Sequence, residues 1–175
     1  MSENPETKTY EDYVLPPSVV SKVDVSRMVS DLERVDNELT TSSVREKTGA
    51  TTAATAQPVV SEQLKDFLTL NQIQIGDSKS RSALLKQMHL LKDRLPVVHM
   101  TFASPADPES LQQLAGWLRQ SVHKQAVIMD GIQPSLVGGV YLRLPNKVKD
   151  LSLRAKLKGG HDLLVKELEA ISGKN

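Results

Sequence analysis

The sequence predicts an α+β fold: a mostly helical N-terminal part, a linker, then a small β-α-β-β-α C-terminal domain. Three observations predict it. Aliphatic residues return at three- and four-residue steps through much of the chain before Pro96, the spacing of amphipathic helices. A Thr/Ala/Ser-rich stretch at 41–57 interrupts that pattern. Beyond Pro96 the period drops to two in VVHMTF and again in VYLRL, with helical spacing between and after them.

Residues 1–15 carry no sustained periodicity and are expected to be mobile. A helical segment follows at 16–40, where Val19, Val23, Met28, Leu32, Val35 and Leu39 share a stripe. Asp24 and Ser26 can break or recap it, so one helix or two remains open. Residues 41–57 contain Gly49 and no large apolar side chain beyond Val44. Such a segment buries too little surface to offset its ordering entropy and reads as a flexible linker.

Residues 58–95 read as a helical pair, from about Val59 to Leu70 and from about Ser80 to Leu95. The first places Leu64, Phe67 and Leu68 on one face, the second Leu84, Met88 and Leu91. Pro58 and Pro96 punctuate the ends, and Gly76-Asp77-Ser78 makes the connection. One or two amphipathic helices cannot bury their own apolar faces, so these must dock on the rest of the chain or on another protein.

In residues 96–175, Val98, Met100 and Phe102 alternate with His99 and Thr101 as a first strand. Ser104 or Asp107 opens a helix that turns Leu111, Leu114, Ala115 and Leu118 toward the sheet. Ala126–Met129 is the second strand, parallel to the first through a right-handed crossover. Val140–Leu144 is the third, antiparallel to the second across a short corner. The last helix runs from about Leu151 to Ile171, its stripe passing through Leu153, Leu157, Leu164 and Leu168. Gly159-Gly160 lies inside it. Each costs ~1 kcal/mol relative to Ala, which suits a kink or a close helix contact.

Composition removes several function classes. Net charge is +1 over 175 residues, unlike the strongly basic domains that bind nucleic acid. It is uneven: −4 over residues 1–60, +2 over 61–95 and +3 over 96–175. That division fits a protein touching two different partners, or ordinary surface scatter. With no cysteine, disulfides and thiolate metal sites are excluded. The polar, acidic N-terminus is unlike a secretory or transit peptide, and no apolar run approaches the ~20 residues that span a bilayer. A cytoplasmic protein without direct membrane insertion is expected.

Catalytic and metal chemistry find little footing. His89, His99, His123 and His161 fall on separate elements, without the spacing that sets two ligands on one helix face. Asp130 and Asp150, both near strand ends, are the best paired-carboxylate candidate, although turn and cap chemistry explains each singly. Gly138-Gly139 lacks the Lys-Ser/Thr of a phosphate loop and the third Gly of a dinucleotide fingerprint. No catalytic residue, metal ligand or cofactor is expected. Trp117 is a candidate interface anchor or a core residue, and Leu164 and Leu168 are candidate partner contacts.

Residues 132–157, IQPSLVGGVYLRLPNKVKDLSLRAKL, are the most informative stretch. Pro134 has no N–H and ends a ladder. Gly138 and Gly139 permit a backbone path that a Cβ would forbid, and Asp150 or Ser152 can cap the helix that follows. Together they build a corner for holding something.

This order of residues resembles the C-terminal signature of the F-type ATP synthase delta subunit family, called the oligomycin sensitivity conferral protein in mitochondria. The family carries "(V/I)-D-P-S-L-I-G-G", a strand, then "V-x-D-x-S-(L/V)-R-x-x-L". The matching positions here include Pro134, Ser135, Gly138 and Gly139, then Asp150, Ser152, Arg154 and Leu157. Gln133 stands where the family usually has Asp. Val97–Pro105 looks like the family's first C-terminal strand and its end.

The resemblance implies a non-catalytic stator subunit of the peripheral stalk, at the cytoplasmic face of the membrane. Its N-terminal bundle would hold N-terminal segments of the alpha subunits, and its C-terminal domain would meet the b subunits. The family's bundle has more helices than the three or four patterns read here, so residues 58–95 correspond to part of it. The alternative is a free-standing interaction module that reuses this C-terminal fold.

Overall fold

The structure, a computed structural model of the chain, describes residues 8–47, 58–144, 147–158, 160, 165 and 166. The described residues group into two compact units, one within Met1–Pro96 and Gln112–Val127, the other within Val97–Leu111 and Ile128–Asn175.

The first unit is helical. Helix α1, Lys22–Lys47, opens on a reciprocal cap. The Ser21 N–H donates to Asp24 Oδ2 at 2.9 Å, and the Asp24 N–H donates to Ser21 Oγ at 3.3 Å. Asp24 therefore starts one continuous helix instead of breaking it. That helix continues through residues 41–47, which the composition had assigned to a linker. The hydroxyls of Ser42 and Ser43 donate to the Glu38 and Thr40 carbonyls, so their polar groups are satisfied within the helix. Residues 48–57 lie outside the described residues.

Helix α2, Glu62–Leu70, is capped by Ser61, and α3, Ser78–Arg94, by Asp77. Met28, Leu32, Leu64, Phe67, Leu84 and Met88 are fully buried. Arg81, itself buried, donates through Nε to Asp36 Oδ1 at 2.6 Å and through Nη1 to the Gly76 carbonyl at 3.0 Å. It thereby ties α3 to α1 and to the turn before α3.

The N-terminal segment departs from expectation. Residues 8–15 are not a loose tail. Tyr13 is completely buried, edge-on to Phe67 with ring centroids 5.4 Å apart. The Asn71 side chain brackets Val14, accepting its N–H and donating to its carbonyl, each at 2.9 Å. Gln125 Nε2 donates to the Tyr10 and Tyr13 carbonyls at 2.6 and 2.8 Å. Arg119 donates to the carbonyls of Leu15, Pro16 and Val19. Extended backbone read by side-chain amides and a guanidinium leaves no periodic trace in sequence. These bonds also explain why 112–127 groups with the helices, although it was read as part of a domain at 96–175.

The second unit is built on a four-stranded sheet: β1 Val97–Phe102, β2 Val127–Ile132, β3 Gly139–Leu144 and β4 Lys147–Ser152, in the order β2-β1-β3-β4. Bonds from Val127 N to Pro96 O and from Gln133 N to Phe102 O join start to start and end to end. Strands β1 and β2 are thus parallel. The crossover between them contains α4, Pro108–Ser121, which Asp107 caps through the Ser110 N–H at 2.8 Å. Strand β3 pairs antiparallel with β1 and with β4. It also runs opposite to β2, but β1 lies between them. The β-α-β-β-α arrangement is present, with β4 added where a polar turn and the start of the last helix were read. Lys and Asp are poor strand formers, so β3 imposes that conformation on KVKD by pairing. The last helical run begins after β4, at 153–158; Gly159, Leu164, Leu168 and Ile171 lie outside the described residues.

Candidate docking site

The corner between β2 and β3 is assembled from backbone bonds. After Gln133 N closes on Phe102 O at 2.8 Å, Pro134 opens a single 3-10 turn, Pro134–Leu136. Val137 follows at φ +64°, a left-handed conformation that β-branched residues rarely adopt. The Gly138 carbonyl accepts the Leu153 N–H at 2.8 Å. Gly139 sits at φ +86°, and a Cβ on it would lie 2.5 Å from the Leu151 carbonyl oxygen. At Gly138 a Cβ would stand 3.7 Å from Leu153 Cβ, an ordinary contact. Only the second glycine of the pair is sterically required.

Across the hairpin, Asp150 Oδ1 accepts the Ser152 N–H at 2.9 Å. Buried Ser152 in turn accepts the Ala155 N–H at 3.1 Å, capping the helical turns at 153–158. Of the two residues expected to cap here, Ser152 caps the helix and Asp150 instead braces the capping residue. Hydrogen bonding from Ser152, helped by the Arg154 cation, holds the Asp150 carboxyl below the usual carboxylate range.

These groups border a cleft of about 800 Å³ lined by Gln133, Ser135, Tyr141, Asp150, Ser152 and Arg154, among others. Gln133 Nε2 donates to Ser135 Oγ at 3.0 Å. The opposed pairs Thr101–Tyr141 and Tyr141–Asp150 put all three on one face of the sheet. Val98, Met100 and Leu142 are buried on the other.

Of the residues singled out, Pro134, Ser135, Gly138, Gly139, Asp150, Ser152 and Arg154 come together at this corner and cleft. Leu157 lies just beyond, 60% exposed. Trp117 is 54% exposed on α4, which removes the core alternative. Leu164 and Leu168, as noted, are outside the described residues. Tyr141 and Lys158 also line the cleft and were missed, because nothing in a single sequence shows which strand or helix face turns toward a corner.

The carboxylate pair does not form. Asp130 and Asp150 occupy the two opposite edge strands, separated by three strand spacings, ~14 Å. They also point to opposite faces. A Cβ at Gly131 would stand 3.8 Å from Thr101 Oγ1, which places 131 on the Asp150 face and Asp130 on the other. Paired carboxylates work within ~10 Å of each other. His89 instead pairs with Glu33 at 3.1 Å, His123 Nδ1 accepts the Gln125 N–H at 3.1 Å, and His161 lies outside the described residues. No metal-binding cluster occurs among the described residues, nor any helix long and apolar enough to cross a membrane.

Caps, turns and ladder bonds shape the corner, and Asp150 is the sole carboxylate lining its cleft among the described residues. The family model of the ATP synthase delta (OSCP) subunit matches residues 24–164, and the chain belongs to that family. The ATP synthase subunit delta of Clostridium kluyveri is 22% identical over 109 residues, 61% of this chain and 60% of that protein. That of Cereibacter sphaeroides is 29% identical over 97 residues, 51% of this chain and 52% of that protein. The chain thus spans between half and two thirds of the length of these relatives.

Proposed function

We propose that the chain is a peripheral-stalk subunit of an F-type ATP synthase, linking the catalytic head to the b-subunit stalk and performing no chemistry itself. The observation that carries this reading is the family match over residues 24–164. The role is mechanical. A stator holds the head still against the rotor, so rotation is coupled to ATP synthesis or hydrolysis. Slowly dissociating contacts are needed, and nanomolar affinity corresponds to about −12 kcal/mol.

Internal stiffness serves that role within each unit. Arg81, Arg119, Asn71 and Gln125 lock the helices to the N-terminal segment, and the corner locks β3 to β4. In this reading the helical unit holds N-terminal segments of the alpha subunits, and the sheet unit meets the b subunits. The protein sits at the cytoplasmic face of the membrane, held there through the complex.

Purification of the tagged full-length chain from its own organism, with identification of its companions, tests the proposal. Recovery of alpha and b subunits in stoichiometric amounts is the expected result. Their absence would overturn it in favour of a free-standing interaction module.

A further inference from the structure

We propose that the outer side of β4, with the helical turns behind it, is a docking strip for an acidic segment of a partner polypeptide that also carries aliphatic residues. The inference rests on the stator reading and names the chemistry of the stalk-side partner.

Charge is the first observation. Arg143 and residues 147–158 hold six cations against Asp150 alone, while the whole chain balances 22 basic residues with 21 acidic ones. Among the described residues, Arg143, Lys147, Lys149, Lys156 and Lys158 make no ion pair. Among the described residues this is a concentrated positive field without paired carboxylates, which favours an acidic partner and speeds its arrival.

Apolar surface is the second. Val148, Leu153 and Leu157 are 54%, 46% and 60% exposed. Val148 shares a face with Arg143, and Lys147 and Lys149 project from the other side of the same edge strand. At one end Val137 is 73% exposed and held at positive φ. It is joined to the strip where Gly138 O accepts Leu153 N–H. Backbone strain that holds a β-branched side chain in water suits a contact made by that side chain.

The third is the edge itself. Strand β4 ends the sheet order, so its outward N–H and C=O groups have no strand beside them among the described residues. A polypeptide can use that row together with the side chains. A lipid or nucleic-acid phosphate can accept from the N–H groups but does not match the alternating N–H and C=O row as a strand does. Lysines on an edge strand also discourage self-pairing, but that purpose calls for no neighbouring exposed leucines.

The test is calorimetric titration of the full chain with the soluble part of the b subunit from the same organism, at low and high salt. Affinity should fall with salt. A Lys147→Glu/Lys149→Glu/Lys156→Glu variant should bind at least ~10-fold more weakly at low salt, a loss of ~1.4 kcal/mol. Leu153→Ala/Leu157→Ala should weaken binding similarly, and melting curves should confirm that both variants fold. If the b subunit binds wild type and both variants alike, the strip is not the docking surface and the stator reading stands. If it fails to bind wild type, the stator reading falls and the inference with it. Tighter lysine-dependent binding to phosphatidylglycerol vesicles or a single-stranded oligonucleotide would also overturn the proposal.

Discussion

Gly139 stands directly opposite Ser152 in the β3–β4 ladder, and a Cβ on it would come within 2.9 Å of the Ser152 Cα. The two strands approach this closely at the open end of the hairpin because one partner has no side chain. A β-branched residue there meets both the backbone clash and the positive φ. Gly139→Val should therefore cost about 3 kcal/mol or more, since left-handed strain alone is worth ~1–3 kcal/mol. Gly138→Ala should change the melting temperature little. Equal effects of the two in thermal melts would refute this account of the corner.

Val137 predicts the opposite sign. It is exposed and adopts φ +64°, so replacement by Gly removes strain while burying nothing less. Val137→Gly should stabilise the protein by ~1 kcal/mol, read as a higher denaturant midpoint. If Val137 contacts a partner, the same variant should bind the b subunit more weakly.

Arg119 gathers the carbonyls of Leu15, Pro16, Val19 and Ala126 on one guanidinium. Burial lowers its pKa, yet it faces carbonyl dipoles and no carboxylate among the described residues. Arg119→Ala leaves several acceptors without a donor, at ~1–3 kcal/mol each where they stay dry. Arg119→Lys should recover only part of this, because an ammonium lacks the planar fork. Hydrogen exchange should show the amides of Val14 and Val19 losing protection first. Unchanged protection there would contradict the clasp.

Tyr13 is buried with no hydrogen-bond partner for its hydroxyl, and burial pushes its pKa up to about 12. The ring contributes its contact with Phe67, while the hydroxyl carries a desolvation cost. Tyr13→Phe should be neutral or stabilising by ~1 kcal/mol, whereas Tyr13→Ala should cost ~3–5 kcal/mol. Chemical denaturation of both variants checks the split.

Acid should expose the caps. Hydrogen bonding from Thr9, Ser110 and Ser152 lowers the pKa values of Asp12, Asp107 and Asp150 respectively. Each lowered pKa means the folded state favours the carboxylate. That stabilisation is present above the ordinary Asp value of ~3.9 and is lost as pH falls through the lowered folded values. Asp150→Asn should thus melt below wild type at neutral pH, with the gap closing in acid. A gap independent of pH would rule out the charged cap.

The order of the elements other than β4, the caps at Asp107 and Ser152, and the Pro134–Gly139 corner were legible in the chain, because capping, proline stops and hydrophobic period are local rules. So was the pattern that marks the family. The connection at Gly76-Asp77-Ser78 was legible too, but not that Asp77 caps α3. Strand β4 was not, since KVKD takes its conformation from pairing with β3. The anchoring of residues 8–19 was hidden for a related reason: Arg119 and Asn71 look like ordinary polar surface until folding brings backbone carbonyls from distant positions against them. Tertiary structure alone decided that Asp130 and Asp150 stand on opposite edges and opposite faces, because strand order and pleat set which side chains can meet, and neither follows from spacing along the chain.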